Sequence, residues 1–592
     1  MAFSLKKYRT KLLEIYANLQ KKQGDIRHEE RIELEGGLKK LQTHILEEDK
    51  EGCKASYDAL KKIEERLFPR VRYYRWLKII LSNVFFIGMI VVLRQTWFEP
   101  YQIPSGSMRP TLKELDRVVV SKHQFGINVP LTPDHFLFDD QELKRGGIIT
   151  FTGENMDIDD VKTKYFYLFD GYKQYVKRLI GKPGDTLYFY GGKIYGMDKE
   201  GNDITSEFRQ ETFEPLEHIP FLRLEGKMRW LKNTVYIHQY NIPVARIDAT
   251  PLGTFNGRVL YNQAGQLPVE QYADLFGMHH FGVCRIEKEG DKHFLKIFHH
   301  PSLSLNKTLL QKQGMGRLEH NISNLPLDES LLKLIFSNLQ TSRFVVKNGL
   351  AFPWDNENEA LKQTQHRPVL KEIPDGTYEF FDGQAYQIYT QGFSKKLDQT
   401  HPLMQFNQER AITLFNIGAE FDLRFGPNSE IPGLLPSRYA YYRDLDLYVM
   451  GKKLLDRRDP RLATFIENEK IKAGESKGYK GFIDLGPPLL KDGSLNKDLL
   501  SRYGLKVPEG KYLGLGDNHA ISADSRDFGF VPASNLRGVL AFVVSPFPKM
   551  INQTPYPLWT QPKAIVMSLV IGGWAITHLV SRNRRRFPVS FS

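Results

Sequence analysis

The spacing of apolar residues changes several times along this chain, and each change predicts a different kind of element. Before Pro69 the sequence holds no proline and is dense in Lys, Glu, Leu and Gln. Leu12, Leu13, Tyr16 and Leu19 recur at helical spacing, as do Leu60, Ile63 and Leu67. Residues 1–76 are therefore expected to form a helical segment, a hairpin or short coiled coil broken near Gly36–Gly37, with a solvated polar face. The run IILSNVFFIGMIVVL, residues 79–93, is apolar on every face, and Trp76, Leu77, Trp97 and Phe98 border it. This pattern predicts a membrane-crossing helix over 77–96. A second run, AIVMSLVIGGWAITHLV, predicts another over 564–580, after a linker at 549–563 that carries Tyr556 and Trp559.

Between these runs the pattern shifts toward strands. YVKRLIG alternates at the period of a strand and ends in the turn Lys182-Pro183-Gly184-Asp185. HHFGVCRIE and HFLKIFHH also read as strands, while LDESLLKLIFSNL and ERAITLFNIGAEF read as helices. The fragment IPDGTYEFFDGQAYQIY echoes VPEGKYLGLGDNHAIS further on, and reads as a strand and turn. It lacks the serine-rich run that follows the later copy.

Charge adds an orientation. The formal net charge is +13, and much of the excess flanks the two apolar runs. Arg66, Arg70, Arg72, Arg75 and Lys78 precede the first, whereas Arg94 stands alone beyond it up to Met108. Arg582, Arg584, Arg585 and Arg586 follow the second, in a basic tail at 581–592. Positive residues stay on the cytoplasmic side, so both termini are expected there and the long middle region outside. This placement accounts for the basic balance without nucleic acid. With 78 residues ahead of it, the first run does not read as a cleavable leader. On that topology Cys53 and Cys284 lie on opposite sides and cannot pair, and no metal-ligand spacing is present.

Three stretches of the outward region carry candidate chemistry: PSGSMRPTL, YVKRLIGKPGD and GDNHAISADSRDFGFVP. Taken alone, Ser-Gly-Ser is also a common turn sequence. A serine becomes a nucleophile only beside a base. The chain has 16 histidines, most of them in the middle region without recognisable context. A lysine serves if burial keeps it neutral, at a cost of roughly 4 kcal/mol for a pKa near 7–8. Lys177 has the apolar neighbours Tyr175, Val176, Leu179 and Ile180.

Together, and in this order, the three stretches resemble the bacterial type I signal (leader) peptidases, membrane serine endopeptidases with a Ser-Lys dyad. The resemblance covers residues 98–112, 144–151, 175–185 and 507–545. It implies Ser107 as nucleophile and Lys177 as general base. The Ser105 hydroxyl and the Ser107 N–H would form the oxyanion hole. Ser522 would orient the lysine, and Asp524, Arg526 and Arg178 would brace the site. Tyr101, Ile103, Met108, Val118 and Val176 would line shallow pockets for small side chains, as Ala-x-Ala cleavage sites require. The expected partners are signal peptides of exported preproteins and the lipid bilayer of a bacterial inner membrane, with the catalytic domain on its outer face. No cofactor and no metal are implied, and oligomeric state stays open.

The expected architecture is a mostly β catalytic domain of signal-peptidase-like fold, split into 97–196 and 507–548. A mixed α/β insertion at 197–506 would interrupt it, and the N-terminal helical segment and two transmembrane helices would carry it. The chain departs from the family pattern at Gly147, where Asp is usual, at Thr150, and at His519-Ala520-Ile521. His519 is a second candidate base. A scaffold working through the insertion, and a soluble self-cleaving Ser-Lys regulator, are the alternative readings. Retention of both Ser107 and Lys177 in context argues against the first, and the two apolar runs argue against the second.

Overall fold

The computed structural model describes residues 2–21, 26–67, 98–122, 143–165, 169–210, 279–304, 317–354, 367–389, 392–418, 438–476, 478–519, 521–551 and 587–589, with shorter stretches between them. The chain divides into two compact units, Met1–Trp97 with Pro557–Ser592, and Phe98–Tyr556.

The first unit holds three helices: α1 (Ala2–Lys21), α2 (His28–Leu46) and α3 (Lys50–Leu67). Leu12, Leu19, Leu34, Leu38, Leu41 and Leu60 are wholly buried between them. The helical expectation is met, but the break near Gly36–Gly37 is not. Helix α2 runs through both glycines, and a Cβ on Gly37 would lie 2.9 Å from Leu60 Cδ2. The glycine thus serves close approach of α3, and buried contacts outweigh its helix-breaking cost of about 1 kcal/mol. The chain turns after Leu46 instead, where Glu48 takes a φ of 56°. Far along the sequence, Val589 returns to this bundle. Its N–H donates to Gln42 Oε1 at 2.9 Å, and its carbonyl accepts from Gln42 Nε2 at 3.2 Å. The Arg9 guanidinium lies 4.6 Å from the centre of the Phe587 ring.

Among the described residues, no helix is long and apolar enough to cross a membrane. The helices expected at 77–96 and 564–580 fall in good part outside the described residues. Those positions that are described within them are mostly helical. Their apolar side chains, including Ile80, Val84, Phe86, Leu569 and Ile576, are exposed.

The second unit contains an eight-stranded sheet. Its strands are β1 (Phe98–Gln102), β2 (Arg117–Ser121), β3 (Ile148–Thr152), β4 (Gln174–Gly181), β5 (Lys511–Leu515), β6 (Val531–Pro532), β7 (Leu536–Ser545) and β8 (Lys549–Met550). They lie in the order β1-β2-β7-β3-β4-β5-β6, with β8 against β7. All neighbours are antiparallel. Successive strand residues face opposite sides. Ile149 and Phe151 therefore join Leu179, Tyr512 and Val539 in one apolar cluster. Ile148 joins Ile103, Met108, Val118 and Leu540 in the other. Burial on both faces makes β3 apolar or Thr throughout.

The region between β4 and β5 holds further sheets and helices. A six-stranded sheet includes the strands Phe281–Glu289 and Lys292–Ser304 expected from HHFGVCRIE and HFLKIFHH. The expected helices are Glu329–Ser337 and Gln408–Ile417. IPDGTYEFFDGQAYQIY forms the hairpin Gly376–Phe381 and Gln384–Ile388 within a five-stranded sheet. One apolar core, including Leu295, Leu332, Phe336, Tyr378 and Leu414, joins these elements.

Candidate active site

Residues between β1 and β2 loop back on themselves through Ile103, whose N–H donates to Asp116 O and whose carbonyl accepts from Leu115 N, both at 2.9 Å. At the tip, Gly106–Met108 makes one tight turn. The residue between the two serines is small for a steric reason. A Cβ on Gly106 would lie 2.5 Å from Glu114 Oε1 and 3.1 Å from Arg109 Nε. Ser107 is half-buried and Ser105 exposed, with their hydroxyl oxygens 3.4 Å apart.

Strand β4 delivers Lys177 to this turn. It pairs with Ile149 of β3, and a Cβ on Gly514 of β5 would lie 3.3 Å from Lys177 Cβ. A lysine on a strand ordinarily points to water, yet Lys177 is only 4% exposed. Its Nζ stands 3.0 Å from Ser107 Oγ. Burial pushes the amine down to about 8, with Asp524 opposing that shift and Arg526 adding to it. Burial thus brings the amine close to the range a neutral base needs.

The loop after β5 secures both partners. Asn518 N–H donates to the Ser107 carbonyl at 3.1 Å, and its side-chain amide to the Gly106 carbonyl at 3.3 Å. Ser522 N–H donates to Asn518 O at 3.0 Å. Ser522 is 2% exposed, and its Oγ has no hydrogen-bond partner among the described residues. It lies beside Gly516, where a Cβ would meet Ser522 Oγ at 2.1 Å and the Ser107 carbonyl at 2.5 Å. Asp524 caps the short helix Ser525–Phe528 in a capping box, accepts from Gly516 N, and pairs with the Arg526 guanidinium. Burial alone would raise this carboxyl, but Arg526 holds it below the usual carboxylate range.

Arg178 was grouped with Asp524 and Arg526 on sequence. Its guanidinium grips Asp517 of the same loop with two hydrogen bonds of 2.6 Å. Thr111 also donates to Asp517, which ties the loop that carries Ser107 to β4. Asp517, Asn518 and Thr111 were not singled out for roles from the sequence. The run Gly516-Asp517-Asn518 was visible as part of a dense polar loop, but nothing local says which acid meets which arginine.

Ile103, Met108 and Val118 are buried in one apolar cluster, with Tyr101 and Val176 partly buried against it. The Tyr101 hydroxyl donates to Gln174 Oε1 at 2.6 Å and also contacts Glu99. Of the departures, Thr150 is wholly buried and donates to Gly538 O at 3.3 Å. Gly147 hydrogen-bonds through its carbonyl to Leu179 N at 2.8 Å. His519 is buried in the same loop as Asn518.

A serine hydroxyl facing a buried amine of lowered pKa is chemically equipped for acyl transfer with lysine as the base. Residues 75–237 and 441–545 match the family model of signal peptidase, peptidase S26. Signal peptidase I of Pseudomonas fluorescens is 34% identical over 141 residues, 22% of this chain and 44% of the relative. Signal peptidase I T of Bacillus subtilis is 34% identical over 129 residues, 21% of this chain and 51% of the relative. Signal peptidase I of Pseudomonas aeruginosa is 35% identical over 101 residues, 17% of this chain and 30% of the relative. The likeness to bacterial type I signal peptidases read from the motifs is shown by these matches. The chain spans about half or less of the length of these curated relatives.

Proposed function

We propose that this chain is a membrane-bound serine endopeptidase that cleaves N-terminal signal peptides from exported preproteins. The observation that carries the reading is the 3.0 Å approach of Lys177 Nζ to Ser107 Oγ, within stretches that match the signal-peptidase family model. Neutral Lys177 accepts the Ser107 proton as Oγ attacks the scissile carbonyl. The Ser107 N–H and the Ser105 hydroxyl stabilise the oxyanion. The lysine then protonates the leaving amine and later activates the water that hydrolyses the acyl-enzyme. Ser522, buried beside Gly516 and the Ser107 carbonyl, makes no hydrogen bond to the amine in this structure, and its lysine-orienting role rests on the resemblance. Extended substrate adds as a strand near β1 and β4, with small residues of Ala-x-Ala sites against Tyr101, Ile103, Met108, Val118 and Val176.

For the membrane, support comes from the exposed apolar side chains between Trp76 and Ile90 and between Leu569 and Ile576. The packing of Val589 against α1–α3 keeps the segments flanking the two apolar runs on one side, which is compatible with two crossings. The catalytic region then lies on the outer face.

Purified protein in detergent is expected to cut a preprotein after an Ala-x-Ala site, and Ser107→Ala to leave it uncut. Unchanged cleavage by Ser107→Ala would sink the assignment. The pH profile follows from the lowered lysine. The amine must be neutral to act, so kcat/KM rises with pH to a plateau, with a midpoint at about 8. Below the midpoint it falls about tenfold per pH unit. A profile flat from pH 6 to 10 would exclude Lys177 as the base.

A further inference from the structure

The echo fragment IPDGTYEFFDG has no place in the chemistry above, yet it brings one buried acid to the catalytic loop. Glu379, on the strand Gly376–Phe381, is wholly buried. It accepts from Arg109 Nη2 at 2.9 Å, from Lys113 Nζ at 2.6 Å and from Arg343 Nε at 3.1 Å. Arg109 and Lys113 belong to the turn that presents Ser107; Arg343, like Glu379, comes from the insertion. Glu114 completes the cluster by pairing with Arg109 and standing 3.8 Å from Arg343. The cluster sits directly against Gly106, since an added Cβ there would strike Glu114 and Arg109. Residues 238–440, which include Arg343 and Glu379, lie outside the family-model match.

We infer that Glu379 is a positioning residue: the insertion uses this carboxylate, through Arg109 and Lys113, to fix the Ser105-Gly106-Ser107 turn. The inference rests on the reading of Ser107 as nucleophile. Three cations share two carboxylates here, and each oxygen of Glu379 takes a donor from the nucleophile loop. Burial disfavours its charge, but Arg109, Lys113 and Arg343 hold the carboxyl down to about 2. It therefore stays ionised throughout the working range. Without it, Arg109 keeps Glu114 but loses its tie to the sheet, and the turn gains freedom at the atom that must meet Lys177.

The test is Glu379→Gln in the full-length protein, assayed on a preprotein beside the wild type and Ser107→Ala. The expected result is a kcat lower by about ten- to a hundredfold, with KM changed by less than about threefold and the pH midpoint unmoved. Amide exchange over 106–112 should quicken by about tenfold or more in the same variant. Wild-type kcat and exchange in folded Glu379→Gln would overturn the inference. Should that variant fail to fold, Lys113→Gln replaces it, because Lys113 is partly exposed and easily solvated. A kcat reduced by roughly threefold or more supports the positioning role, and a wild-type kcat overturns it. Cleavage by Ser107→Ala would instead refute the nucleophile assignment, while the exchange measurement would still report on the clamp.

Discussion

Lys177→Met is expected to lower kcat/KM for preprotein cleavage by about 10⁴-fold or more and to leave the protein at least as stable as wild type. The two effects share one cause. Lys177 places a basic nitrogen 3.0 Å from Ser107 Oγ, and without it the hydroxyl keeps its proton at working pH. Residual turnover then rests on the oxyanion donors and substrate binding. The amine is also a burden on the fold. Its pKa falls from 10.5 unfolded to about 8 folded. Between those values the unfolded chain binds the extra proton, so stability rises with pH across that window. Below about 8 the cost is fully present, on the order of 3 kcal/mol, and methionine removes it while filling similar volume. Single-turnover cleavage and thermal unfolding at pH 7 measure the two. A variant that is active, or is several degrees less stable, would contradict this account.

Asp517→Asn should strongly destabilise the second compact unit. The carboxylate side chain is 0% and the Arg178 side chain 5% exposed, so the surviving guanidinium cannot turn to water. Breaking a buried pair of this kind costs about 3–5 kcal/mol, equivalent to a fall in unfolding temperature on the order of 10 °C. Thr111 loses its acceptor too, so activity should fall with stability. Replacing both partners, as Arg178→Met with Asp517→Leu, should recover much of the stability, because no charge is then stranded. It should not recover activity, since Arg178 also donates to Gly146 O at 2.6 Å and to Thr111. If Asp517→Asn melts with the wild type, this pair does not hold the unit together.

The legible part of the site was the part encoded in short motifs. Ser107 and Lys177 were singled out by the resemblance that three short motifs carry together, since Ser-Gly-Ser alone reads equally as a turn and a strand lysine ordinarily faces water. Pairings across long separations were not legible. Arg178 meets an acid 339 positions away, and Asp517, Asp524 and Asp527 were equally good candidates by residue type. Glu379 was invisible for the same reason, as its partners lie 266 and 270 positions earlier. In the helical unit, spacing gave helices correctly. Gly37 misled because propensity argues for a break, whereas the missing side chain admits Leu60.

The placement of β7 has a consequence for how the protein is made. Strand β7 (Leu536–Ser545) lies between β2 and β3, although it is synthesised hundreds of residues after both. Until it arrives, those two strands have unpaired edges, and pairing at such separation is slow. Asn518 and Ser522 come from the same late segment. A nascent chain would thus carry Ser107 and Lys177 long before the loop that secures them exists. On the proposed reading, hydrolytic competence should appear only once the segment 516–545 has been made and has joined the sheet.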